Sequence, residues 1–140
     1  MGLDQYLFRA NREKLNKYHN LSKEEREELE SPCVEVCYWR KANQIRQYFV
    51  EHCDYPEDGN CIDFEVDKSD LLNLVKTCKE VLDNHDLAQE LLPVSSGFFF
   101  GSNEYDEWYF KDLENTIDMV EKVIGSTDFD KDIVFYSEWW

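Results

Sequence analysis

Leu3, Gln5 and Leu7 alternate with Tyr6 and Phe8, the period of two that predicts a strand over residues 3–9. Ser22 followed three residues later by Glu25 reads as a capping box, which opens a short charged helix ending near Ser31 and Pro32. Residues 33–38, CVEVCY, are β-branched and alternating and predict a second strand leading directly into a helix. From Trp39 to about His52, Tyr38, Ala42, Ile45 and Phe49 fall at helical spacing on one side, while Arg40, Asn43, Gln44 and Gln47 form a polar stripe on the other.

Residues 54–60 read as a turn, followed by a strand in which Ile62, Phe64 and Val66 alternate. Asp67 or Ser69 then caps a helix whose Leu71, Leu74, Val75, Cys78 and Leu82 point inward, ending near Asn84. A short helical piece from Asp86 to Leu92 stops at Pro93. In Ser95–Ser102 three consecutive phenylalanines stand between Gly97 and Gly101, so an extended chain would put a ring on both faces. A long helix is expected from about Asn103 to Ile124, with Tyr105, Tyr109, Ile117, Val120 and Ile124 inward and Gly125 at its C′ position. Ile133–Tyr136 predicts a last strand before the closing Trp139 and Trp140.

These elements, about four strands and three main helices with strands early and late, predict an α+β domain whose helices pack on an antiparallel or mixed sheet. At 140 residues the expectation is a single compact domain over 1–140. The 21 aromatics supply a core that excludes general disorder. The apolar runs are far shorter than the ~20 residues of a membrane-crossing helix, and no signal segment or myristoylation pattern is legible after Gly2. The expected location is therefore the cytoplasm of the cell that makes the protein.

Charge narrows the partners. The net charge of −16 disfavours direct binding of nucleic acid or anionic membrane, yet residues 1–46 carry nine basic against eight acidic side chains, and 47–140 carry six against twenty-three. Arg40, Lys41 and Arg46 gather into a small cationic site on an anionic body. Five cysteines without a CxxC pair are expected to be free thiols acting as small hydrophobes. A zinc set drawn from His52, Cys53, Cys61 and His85 has spacings that fit no established ligand set, so no metal or other cofactor is expected.

Two clusters concentrate the remaining chemistry, Tyr38–Asn43 (YWRKAN) and Gly97–Tyr109 (GFFFGSNEYDEWY). With the opening MGLD and the LLP before the glycine segment, they resemble a family of small proteins widespread in bacteriophages and prophages. The resemblance covers most of the chain and implies a viral source, with jobs such as blocking a host defence or redirecting host metabolism in the bacterial cytoplasm. The residues themselves suit a small planar anion: Trp39, Phe99 and Trp108 for stacking, and Arg40 and Lys41 for phosphate. Asn43, Tyr105 and Asp106 offer hydrogen bonds to a ribose or base edge, and Gly97 and Gly101 permit close backbone approach. An alternative places the aromatics in the core and pairs Arg40 with Asp106 structurally.

No triad, P-loop or comparable catalytic spacing is legible. The expectation is thus a binding protein that sequesters a nucleotide-derived molecule, such as a host immune signal, without turnover. The competing readings are an acidic nucleic-acid mimic docking on a host defence or nucleic-acid enzyme, and a small nucleotide-processing enzyme. Homo-oligomerisation stays open.

Overall fold

The computed structural model describes residues 2–57, 62–94 and 104–140. Among these residues four strands, β1 (Asp4–Asn11), β2 (Val34–Arg40), β3 (Phe64–Val66) and β4 (Asp132–Trp139), form one antiparallel sheet in the order β2-β1-β4-β3. Helices α1 (Arg12–His19), α2 (Lys23–Glu27), α3 (Asn43–His52), α4 (Lys68–Asp83), α5 (Ala88–Leu91) and α6 (Glu107–Ser126) complete the α+β domain, with a 3₁₀ turn at His85–Leu87 before α5. Among the described residues no helix is long and apolar enough to cross a membrane.

The alternation in β1 sets the layers. Leu3, Gln5 and Leu7 are fully buried, and their face of the sheet carries Cys37, Trp39, Val66, Val134 and Tyr136 into the main core. Helices supply the other half of that core: Ile45, Tyr48 and Phe49 from α3, Leu71, Leu74, Cys78 and Val81 from α4, and Tyr109, Leu113, Val120 and Val123 from α6. Phe49 stacks on Tyr136 at 4.0 Å between ring centroids, which ties α3 to the central strand β4. Tyr6, Phe8 and Phe135 lie on the opposite face and contact one another.

Several boundaries depart from the sequence pattern. The residues Trp39 and Arg40 finish β2 rather than begin a helix, because Gln5↔Trp39 and Asp4↔Arg40 pair across the sheet. The chain then turns at Lys41, whose φ of 54° is left-handed and whose N–H donates to Leu3 O at 2.7 Å. Gln5 fixes the turn from below: its side-chain oxygen accepts from Ala42 N at 2.9 Å and its amide donates to Ala42 O at 3.0 Å. Helix α3 therefore starts at Asn43. Helix α6 starts at Glu107, not Asn103, since Asp106 is its N-cap, and it runs through Gly125 to Ser126 instead of stopping there.

Arg46 is buried, not part of a cationic surface. Its Nε donates to Glu138 Oε1 at 2.8 Å, with 4% and 0% of the two side chains exposed. Tyr136 donates to Glu138 Oε2 at 2.8 Å, the indole N–H of Trp140 donates to Oε1 at 3.1 Å, and the guanidinium also donates to Glu57 O. Both carboxylate oxygens are thereby occupied, which is the condition under which a buried charge is tolerated.

Three of the cysteines sit as small hydrophobes in the interior. Cys37, Cys53 and Cys78 are buried and free, and burial pushes each thiol up to about 12, so none is an activated nucleophile. Cys61 lies outside the described residues, and no cluster of three or more metal-ligating side chains occurs among the described ones. His52 stacks on Tyr48 at 4.9 Å and His85 on Phe110 at 3.7 Å.

Candidate functional site

The end of β2, the first turn of α3 and the start of α6 converge on a cleft of about 300 Å³ lined by Arg40, Lys41, Asn43, Gln44, Glu104, Asp106, Trp108, Tyr109 and Asp112. Five of the ten residues singled out in the sequence meet there: Arg40, Lys41, Asn43, Asp106 and Trp108. The two groups, Arg40 to Asn43 and Asp106 to Trp108, lie more than sixty positions apart along the chain and are joined because α6 packs against β2.

Each wall has its own local cause. On one side the left-handed turn at Lys41 carries the chain from sheet to helix and leaves Arg40 and Lys41 exposed at the rim. Gly2 lies under the Lys41 stem, where an added Cβ would come within 3.0 Å of Lys41 Cε, so the glycine leaves room for that side chain. Asn43 and Gln44 follow in the first helical turn, where both are buried. On the other side Asp106 accepts from Tyr109 N at 3.1 Å and fixes the start of α6, leaving Trp108 66% exposed at the mouth.

Gln44 spans the two walls, donating to Tyr109 O at 3.3 Å and to Asp112 Oδ2 at 3.4 Å. Burial is the largest influence on Asp112 and raises its pKa from 3.8 to about 6, with the nearby Asp106 adding to the rise and Gln44 opposing it. Because the folded value lies above the ordinary one, the Asp112 contribution to stability is full below pH 3.8 and is lost as pH rises through about 6. Asp112→Asn is therefore expected to raise the melting temperature at pH 7 and to leave it nearly unchanged near pH 4; thermal unfolding at the two pH values measures this.

Other selected residues do different work. Trp39 is a core residue, 4% exposed, and its indole N–H donates to Thr116 Oγ1 at 2.8 Å, so it joins β2 to α6 instead of stacking on a ligand in the cleft. Tyr105 is half-buried; its hydroxyl accepts from Val94 N at 3.2 Å and its ring meets Tyr109 edge-on at 5.0 Å, a brace behind the cleft. Arg40 and Asp106 form no ion pair within 4 Å, so the structural-pair alternative does not account for them. Gly97, Phe99 and Gly101 lie outside the described residues.

Sequence reasoning missed Gln44, Glu104, Tyr109 and Asp112 as cleft residues. Gln44 directly follows Asn43, and Asp112 lies three residues beyond Tyr109 on α6, where the neighbouring acids Glu114, Asp118 and Glu121 give it no distinguishing signal.

Chemically, the cleft sets two cations, Arg40 and Lys41, beside three carboxylates, two side-chain amides and one exposed indole. Such a lining suits a ligand that carries both an anionic group and hydrogen-bond donors on a flat ring. No family model, curated protein or solved structure matches the chain.

Proposed function

We propose that this protein captures a small nucleotide-derived molecule in the cleft between β2–α3 and α6, and that it acts by sequestration as a phage-type counter-defence protein in the bacterial cytoplasm. The observation that carries this reading is the meeting of Arg40 and Lys41 with the exposed ring of Trp108 and the amides of Asn43 and Gln44. A phosphate would bind at the two cations, and a base would lie on the indole. The exocyclic amines of that base would donate to Asp106 or Asp112, which gives the acidic wall a purpose that a plain anion would not. The resemblance to bacteriophage proteins supports the biological setting, in which a host immune signal is the molecule removed.

Thermal unfolding of the purified protein with a panel of cyclic and ADP-ribose-type nucleotides tests the reading. A binder at saturating concentration should add a few kcal/mol of stability, roughly 2.7 kcal/mol at one hundred times Kd. No shift with any member of the panel would overturn the proposal. Arg40→Lys should weaken capture by about 1.5–3 kcal/mol without changing the melting temperature of the free protein, because Lys keeps the charge but cannot form two parallel hydrogen bonds to phosphate. Titration calorimetry reads that difference.

A further inference from the structure

The face of the sheet turned away from α3, α4 and α6 carries a continuous row of rings. Tyr38 on β2 meets Tyr6 on β1 at 5.3 Å, Tyr6 meets Phe8 at 5.4 Å, and Phe8 meets Phe135 on β4 at 5.6 Å. Trp139 opposes Asp4 at the end of the same face and is 63% exposed, while Tyr38 is 41% exposed. None of these five residues belongs to the main core, although Phe135 is itself buried and Tyr6 and Phe8 are half-buried, so Tyr38 and Trp139 carry the exposed ring area. Antiparallel register also places Asp4 and Glu35 on this face, Asp4 between Arg40 and Trp139, and Glu35 opposite Phe8. Asp4 accepts from the Tyr38 hydroxyl at 2.6 Å, so one carboxylate stands against the ring row itself.

One exposed cation borders the row: Arg40 lies opposite Asp4 at its end and also lines the cleft described above. Arg9 donates to Ser126 and Thr127, and Arg12 pairs with Glu65 at 2.7 Å, so both are engaged away from the rings. The remaining surface is therefore aromatic with carboxylates at its margin, which is the chemistry that receives a guanidinium: the ring faces attract the cation and the carboxylates take its N–H groups. A second copy of this chain would bring like-charged margins together on a molecule of net charge −16, and phosphates would meet the same carboxylates. We propose that this open sheet face is a docking surface for an arginine-rich segment of a partner protein. It is a site separate from the nucleotide cleft and does not depend on it.

An oligoarginine peptide carrying a fluorophore is the probe, with anisotropy measured at about 0.15 M salt so that diffuse surface attraction is screened. The double variant Tyr38→Thr/Trp139→Thr removes two exposed rings and no charge, and is expected to weaken the peptide about tenfold. Asp4→Asn/Glu35→Gln should weaken it further than Asp86→Asn/Glu90→Gln beside α5, which removes the same charge from another surface. Trp108→Ala should bind the peptide like the original chain, which separates this face from the cleft. The proposal is overturned if the ring variant binds unchanged, or if both carboxylate pairs matter equally, since the attraction is then only net charge. It is also overturned if sedimentation shows a dimer that the ring variant abolishes, or if a single-stranded oligonucleotide binds the face more tightly than the peptide.

Discussion

Arg46→Met should lower the stability of the protein by about 3–5 kcal/mol, because it leaves the Glu138 carboxylate buried with its charge uncompensated. The carboxylate is fully enclosed, and although Tyr136 and Trp140 still donate to it, neither carries charge. Burial already raises the Glu138 pKa above 4.5, with Arg46, Tyr136 and Trp140 pulling it down. Removing Arg46 deletes one of those opposing influences, so the folded carboxyl binds its proton still more readily. The loss should therefore be largest at neutral pH and shrink on acidification as Glu138 becomes neutral. Urea unfolding at pH 7 and pH 5 measures both parts. A loss independent of pH would mean that packing around the arginine stem, not charge, is what the substitution removes. Replacing both partners with apolar residues should recover only part of the stability, since the Tyr136 hydroxyl and the Trp140 indole would then lose their acceptor.

Trp39→Ala and Trp108→Ala should part sharply although both indoles belong to the same two sequence clusters. The first removes a buried ring and its hydrogen bond to Thr116 and should cost about 3–5 kcal/mol. The second removes a ring that is mostly in solvent, so the fold should remain and nucleotide capture should fall. Circular dichroism with thermal unfolding, alongside ligand titration, distinguishes them. A folded, fully stable Trp39→Ala would contradict the assignment of that ring to the core.

What was legible in the sequence follows how local each cause is. The capping box at Ser22 and Glu25, the start of α4 after Asp67 and the core stripe of Leu71, Leu74, Val75 and Cys78 all arise within a few residues of chain, and each holds in the structure. Helix α1 escaped notice because REKLNKYH buries no residue; Asn11 capping Lys14 N and the Glu13–Lys17 pair accompany it, with no apolar stripe to announce it. The spacing of Tyr38 with Ala42, Ile45 and Phe49 matched a helix by coincidence, since Tyr38 belongs to β2 and its direction is set by pairing with β1.

The cleft was half legible for the same reason. Residue types with ligand chemistry announced Arg40, Lys41, Asn43, Asp106 and Trp108, whereas Asp112 needed α6 to be docked against α3 before its burial appeared. Arg46 looked like a neighbour of Arg40 and Lys41 because its partner, Glu138, lies 92 residues away. Only the sheet, by placing β4 beside β1, brings that carboxylate under α3.

Amide chemical-shift mapping by NMR tests the capture site most directly. On addition of a nucleotide from the panel, the account predicts saturable shifts confined to Arg40–Gln44 and Glu104–Asp112, with the amides of the aromatic sheet face around Phe8 and Phe135 unmoved. Shifts centred on the sheet face, or no saturable shift at all, would contradict it.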